Sequence, residues 1–406
     1  MRVLYVNHTA GVSGAERSLL ELMEGVRAHA DVLLACPEGD LRRRAVAMGI
    51  TSLEIESLRI GFGSQLRELP RAAARLVRVG LRVRKIARRH DVDVVHAASS
   101  RAGLVVAFSC LGGRGRVVDV RDSLHGSPRA ALVRWLLRLS ADALVFNSSF
   151  TRDRFGPTRP ARATVAYPPV DIGRFLHLPL RSEDPNGRPP VLGVVGQITP
   201  WKGQDDAIRV LALLRKRIPE TQLRIVGSVV FSGHAVSFDN EAFGRQLAEL
   251  AAELEVADAV EFTGATDDLE SVFASMDVLL VPSWEEPFGR VVAEAMAAGV
   301  PVVATNRGGP GELISDGVTG YLAEPRRPDV WVELSSRLLT DAHLRMRISE
   351  EARRHVVSVI DRQGLVERAV RLYEETAVRS RGLKGVVRRA GVSVNASTDH
   401  GQVGHG

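Results

Sequence analysis

Short apolar segments alternate with helical stretches along this chain, and the alternation runs twice with a break between. In the first half RVLYVNH, ADVLLACP, TSLEIES, VDVVHA, RVVDVRD, DALVFNS and ATVAYP read as strands. Near-continuous apolar runs, rather than strict in-and-out alternation, are what a parallel sheet covered on both faces requires. The intervening stretches carry helix signals, such as SPRAALVRWLLRLS, where Ser127 is placed as N-cap and Pro128 at the first helical position. A segment without periodicity, HLPLRSEDPNGRPP at 177–190, then interrupts the pattern and reads as a linker. Beyond it VLGVVGQI, QLRIVGS, AVEFTG, DVLLVPS and VPVVATN restart the alternation. The fold class expected is therefore α/β, with two Rossmann-like domains facing across a cleft. The expected boundaries are 1–176 for the first domain, 177–190 for the linker and 191–363 for the second domain. A helix at 364–380 is expected to pack back on the first domain, and a Gly-, Ser- and His-containing tail at 381–406 to be disordered.

A chain of 406 residues with 45% hydrophobic content can supply two cores of ordinary size. The only cysteines, Cys36 and Cys110, both sit in apolar surroundings, which excludes a disulfide framework or a cysteine metal cluster. MRVLYVNHTAG at the start already reads as strand and turn rather than as a secretory signal, so a cytoplasmic protein is expected. The net charge of +6 is concentrated between Leu66 and Arg89, LRELPRAAARLVRVGLRVRKIARR. There Leu69, Leu76, Val79, Val83 and Ile86 alternate with arginines, a pattern suited to a basic amphipathic helix lying peripherally on the anionic inner face of a plasma membrane, or to a solvated helix face. No zinc-finger spacing or aromatic RNA platform accompanies the charge, so nucleic acid is not expected as a partner.

The most informative stretch is VPSWEEPFGRVVAEAMAAGVPVVATNRGGPGE, 281–312. Glu286 falls between a strand and a helix, and Glu294 falls inside that helix. A second glycine-rich turn, Arg307–Gly311, follows the next strand, so two successive strand-turn-helix units form one crevice rim. Near the start, Gly11 and Gly14 in GVSGAERS bring another glycine turn to a helix start, without the G-x-G-x-x-G spacing of a dinucleotide site. Asp91 and Asp93 imitate a metal-binding Asp-x-Asp, yet they introduce a strand, and no metal site is expected.

Together GVSGAERSLLEL, GQITPWKGQDDAI, LRIVGS, VEFTGATDD and the 282–325 stretch resemble the large family of retaining, nucleotide-sugar-dependent glycosyltransferases of the GT-B fold, over nearly the whole chain except the tail. The signature of that family, Glu, seven residues, Glu, falls on Glu286 and Glu294. The resemblance implies transfer of a hexose from a UDP- or GDP-sugar to a hydroxyl of a glycan or lipid-linked acceptor in cell-envelope synthesis, without a cofactor or metal. It implies that Glu286 faces the donor sugar, Glu294 takes the ribose hydroxyls and Lys202 meets the diphosphate. Phe288, Gly289, Arg290 and Val291 would offer main-chain amides to the phosphates, with Gly14 opposite, and Gly264 and Ala265 would lie near the base. Many members carry an Arg where this chain has Gln197, and a His in the first-domain cleft where it has Arg121. Arg121 keeps positive charge in the cleft but cannot exchange protons near neutrality, which leaves His125 or His96 as alternatives for that role. Catalytic assignments on this basis are Glu286, Lys202 and Arg121. Two other functions compatible with the fold are nucleotide-sugar epimerisation and a non-catalytic nucleotide-sugar-binding scaffold.

Overall fold

The computed structural model describes residues 1–58, 69–109, 112–158, 163–180, 187–230 and 238–394, with the backbone alone for residue 69 and residues 381–394. Residues 66–68 of the basic stretch, Cys110, the middle of the expected linker and the last residues of the expected tail lie outside the described residues.

The first domain runs β1 (Arg2–Val6), α1 (Gly14–Val26), β2 (Asp31–Cys36), α2 (Asp40–Ala47), β3 (Thr51–Glu54), α3 (Leu69–Arg89), β4 (Val94–Ala97), α4 (Ser100–Phe108), β5 (Gly115–Val120), α5 (Pro128–Ser140), β6 (Ala143–Phe146), α6 (Ser149–Phe155) and β7 (Ala163–Val165). The second runs β8 (Val191–Val195), α7 (Gln204–Leu214), β9 (Gln222–Val226), α8 (Asn240–Glu253), β10 (Val260–Gly264), α9 (Leu269–Ala274), β11 (Val278–Val281), α10 (Arg290–Ala298), β12 (Val302–Thr305), α11 (Pro310–Leu313), β13 (Tyr321–Ala323), α12 (Pro328–Thr340) and α13 (Ala342–Val359). The long α14 (Arg362–Val394) closes the chain.

Strand order is β3-β2-β1-β4-β5-β6-β7 in one sheet and β10-β9-β8-β11-β12-β13 in the other, and the pairings within both are parallel. In each sheet the order reverses beside the first strand, between β1 and β4 and between β8 and β11, which opens a crevice at the strands' carboxyl ends. The central strands β1, β4, β11 and β12 are buried along almost their whole length, as their apolar runs require, whereas the outer strands β3, β7 and β10 are partly exposed.

Two boundaries differ from expectation, and so does the covering of one helix. Val170, Ile172 and Phe175 already belong to the core of the second domain, Phe175 meeting Phe273 edge-on at 5.4 Å. The chain thus crosses at Pro168–Pro169, before the polar segment at 177–190, because apolar residues follow immediately and find their cover in the second domain. The helix expected at 364–380 runs instead from Arg362 to Val394. Its first half does return to the first domain, where Val366, Tyr373 and Ala377 join the core formed by β1, β2, α1 and β5.

A third difference concerns α3. Its apolar face, Leu76, Val79, Val83 and Ile86, is buried against the sheet and α4 rather than available to lipid. Amphipathic periodicity states only that one face seeks an apolar neighbour, and here the protein core supplies it. The outward face carries Arg78, Arg82, Lys85, Arg88 and Arg89, with Val77 and Leu81 between them. Arg75 and Arg78 pair with Glu56.

Candidate functional site

Between the domains lies a cavity of about 370 Å³ walled by the turns after β1, β8, β9 and β11, by the start of α1 and by the start of α10. It brings together Gly14, Arg121, Gln197, Lys202, Ala265, Glu286, Phe288, Gly289, Arg290, Val291 and Glu294. Gly264 sits one residue outside the wall, its carbonyl accepting the amide of Gly227, so Ala265 and Thr266 form that part of the lining. Gly11, His96 and His125 are not among the cavity residues.

Glu286 is held from behind. Its main chain pairs with the second glycine turn, the Glu286 amide donating to Arg307 and its carbonyl accepting from Gly309. A side chain on Gly308 would stand 1.9 Å from the Glu286 carbonyl oxygen, at a φ of +129°, so only glycine lets the two turns close on each other. Both turns of the 281–312 stretch therefore act on one residue. The buried carboxylate accepts from Lys202 Nζ at 2.6 Å and from Ser283 Oγ at 3.0 Å, both at Oε2. Lys202 also lies 4.4 Å above the Trp201 ring. Its position follows from Gly203, whose left-handed φ of +72° ends the short PWK turn and starts α7.

Gly289, at φ +93°, precedes α10, whose first main-chain N–H groups have no partner within the helix and belong to residues that line the cavity. Arg290 departs from its expected role as an amide donor alone. Its buried guanidinium donates to Glu294 Oε1 at 2.7 Å, to both carboxylate oxygens of Glu21 and to Ser18 Oγ at 2.8 Å. Glu21 and Ser18 lie on α1, so Arg290 joins the domains at the floor of the cleft. These carboxylates overcome its burial and keep the guanidinium firmly charged. Glu294 thus shares its carboxylate between Arg290 and the cavity.

Arg121 enters the cavity wall as the end of a buried chain. Its Nε and Nη2 donate to Asp119 Oδ2 at 3.1 and 2.6 Å, and Nη1 donates to the Ala15 carbonyl at 2.6 Å. Asp119 Oδ1 meets His96 Nε2 at 2.8 Å, His96 Nδ1 meets the Tyr373 hydroxyl at 2.6 Å, and that hydroxyl meets Tyr5 at 3.0 Å. Burial drives the Asp119 pKa upward, but the imidazole and the guanidinium outweigh it and hold the carboxyl at about 2. His96 is therefore two residues removed from the cleft. His125 is exposed and hydrogen-bonded to Ser123.

Gln197 lines the cavity with its buried Oε1 unpartnered among the described residues, while its carbonyl accepts from Gln204. Asp93 lies at the opposite end of the sheet, taking the Arg2 amide at 2.9 Å. Sequence reasoning missed Glu312, whose carboxylate accepts the Ser149 and Phe150 amides at 3.0 and 2.9 Å and the Tyr167 hydroxyl at 3.1 Å. A residue of the second domain thereby caps α6 of the first. Arg17 and Arg44 add a second bridge, both to Asp267.

Two family models divide the chain between them. Glycosyltransferase Family 4 matches residues 12–174, and Glycosyl transferases group 1 matches residues 180–355. The chain is 32% identical over 287 residues to the GDP-mannose-dependent alpha-(1-6)-phosphatidylinositol monomannoside mannosyltransferase of Mycobacterium tuberculosis, covering 65% of this chain and 71% of that protein. It is 36% identical over 240 residues to the D-inositol 3-phosphate glycosyltransferase of Salinispora arenicola, covering 53% of this chain and about half, 51%, of that relative's length. Among solved structures, Anabaena HepE in complex with UDP-glucose superposes with a TM-score of 0.77 at 22% identity, over 92% of this chain and all of that one. The lipopolysaccharide glycosyltransferase WaaG superposes with a TM-score of 0.68 at 21% identity, over 91% and 99% of the two chains. The chain belongs to the group 1 glycosyltransferases and has the GT-B fold.

Proposed function

We propose that the protein is a retaining glycosyltransferase that moves a hexose from a UDP- or GDP-sugar to an acceptor hydroxyl in cell-envelope glycan or glycolipid synthesis. The observation that carries this reading is the Lys202–Glu286 pair, 2.6 Å apart, beside the start of α10 in the interdomain cavity. Breaking the bond between the anomeric carbon and a diphosphate requires positive charge at the departing oxygen and negative charge near the oxocarbenium-like carbon. Lys202 and the first amides of α10 meet the first requirement, without a metal. Glu286 meets the second once the diphosphate draws Lys202 away from it.

In the step proposed, the C1–O bond to the β-phosphate breaks and its electron pair passes to the phosphate oxygen. The acceptor oxygen bonds to C1 on the same face, and its proton passes to that phosphate oxygen. Glu294 takes the ribose hydroxyls through the oxygen that Arg290 leaves open, and Arg121 presents positive charge on the acceptor side. The donor class is supported by the UDP-glucose complex of the HepE relative and by the GDP-mannose dependence in the mycobacterial relative's name.

Incubation with a panel of UDP- and GDP-sugars, with and without glycolipid acceptors, tests the reading. Nucleotide diphosphate release with a product of the donor's anomeric configuration supports it. Conversion to a C2-epimer without transfer, or binding without release under every condition, would overturn it.

A further inference from the structure

Helix α5 is apolar on two opposite faces. Ala130, Val133 and Leu137 are buried in the first-domain core. On the other side Leu132, Trp135 and Leu139, spaced three and four residues apart, are 56%, 54% and 61% exposed. Large apolar side chains exposed in a row on a helix are a patch that needs a partner, unlike a single surface leucine.

The surroundings select the partner. Helices α3, α4 and α5 lie side by side on one face of the sheet, all three contributing to the same core. The flanking pair, α3 and α5, turn their outward faces the same way, and neither sequence, LPRAAARLVRVGLRVRKIARR nor PRAALVRWLLRLS, contains an acidic residue. On α3 that outward face is the cationic one, with Arg78, Arg82, Lys85 and Arg88 around the exposed Leu81. An apolar ridge with a tryptophan and a cationic ridge, facing the same way about 20 Å apart by two helix spacings, together present the inserting and the phosphate-pairing groups that an anionic bilayer surface accepts.

We infer that this face docks on an anionic lipid bilayer, the α5 side chains Leu132, Trp135 and Leu139 entering the acyl boundary and the α3 cations meeting lipid phosphates. It replaces the apolar face of α3, which the core covers, as the inserting element. No helix among the described residues is long and apolar enough to cross a membrane, so the attachment is peripheral. The inference stands apart from the donor chemistry, since binding to vesicles needs no turnover.

Flotation with phosphatidylcholine vesicles, with and without phosphatidylglycerol, tests it on the full chain. Salt-sensitive flotation is expected with the anionic vesicles alone. Leu132→Gln/Trp135→Gln/Leu139→Gln and Arg78→Gln/Arg82→Gln/Lys85→Gln/Arg88→Gln should each lower partition about tenfold or more. Only the first should abolish quenching of tryptophan fluorescence by brominated lipid. All seven positions are surface sites, and unchanged thermal melting of both variants verifies folding. No flotation at low salt, or a dimer in sedimentation that the α5 variant abolishes while vesicle binding is absent, would overturn the inference in favour of bare solvation or of a second copy of the chain.

Discussion

Replacing Asp119 by Asn separates the charge of this carboxylate from its shape. Its two oxygens take three hydrogen bonds, one from His96 and two from Arg121, in a setting where the side chains of Asp119 and Arg121 are only 7% and 11% exposed. Asn keeps one oxygen for Arg121 and turns an amide N–H toward His96. The imidazole can answer by accepting at Nε2 and carrying its proton on Nδ1, with Tyr373 then donating to Tyr5. Every group keeps a partner, and only the charge is lost. The carboxylate charge is lost from all three bonds, the two from the still-charged Arg121 falling from an ion pair to an ion–dipole contact and the His96 bond to a neutral one, and at about 1 kcal/mol each this gives about 3 kcal/mol. That corresponds to a melting point lower by roughly 6–12 °C for a domain of this size. Asp119→Ala, which leaves the guanidinium without its partner, should cost more, about 3–5 kcal/mol. Calorimetry of the three proteins at pH 7 measures the order. A cost below about 1 kcal/mol for Asn, or equal costs for Asn and Ala, would refute the idea that a buried charge orders this chain and holds Arg121 in the cleft.

Lys202→Ala should weaken donor binding by about 1.5–3 kcal/mol in calorimetry with a nucleotide diphosphate, through loss of a charge-assisted contact. Glu286→Gln should lower turnover far more than nucleotide diphosphate affinity; parallel loss in both would make Glu286 a structural residue. Asp206, buried and close to Asp205, has its carboxyl raised to about 6, and its Oδ2 has no hydrogen-bond partner among the described residues. A raised acid favours the folded state below its unfolded pKa, and that benefit is lost as pH rises from about 4 through about 6. Asp206→Asn should therefore leave stability at pH 4 unchanged and raise it at pH 8 by about 1–2 kcal/mol, after discount for nearby solvent, as read from urea unfolding.

Strands were legible because a doubly covered parallel sheet favours apolar runs in its central strands; all seven of the first domain and five of the second fall within the segments read as strands. The exception, β13, is YLA, three residues that follow a turn and lead straight into the polar stretch EPRRPD, whereas the equally short β7 sits in the longer run ATVAYP. The crevice rim was legible because glycine turns at strand ends announce close backbone approach, as at Gly289 and Gly308, while the individual cleft residues came from the resemblance to the family. Illegible were the contacts between residues far apart in sequence. Nothing local marks Glu312 as the cap of α6 or ties Arg290 to Glu21, 269 residues away. The orientation of α3 was misread for the complementary reason: period specifies a face but not what covers it.

The return of α14 gives the chain an unusual order of assembly. Tyr5, in the first strand made, meets Tyr373 across 368 residues, and Gly115 packs so closely on Thr376 that an added Cβ would lie 2.7 Å from it. During synthesis the first domain stays unsealed while the entire second domain emerges and folds, its central strands bare along the seam that α14 will occupy. Early and late segments complete one body, so separate expression of the two halves as contiguous fragments should yield an aggregation-prone first half. A workable dissection would instead join residues 362–380 to the first domain by a linker. Swapping second domains between relatives likewise calls for two junctions, one near Pro169 and one near Asp361.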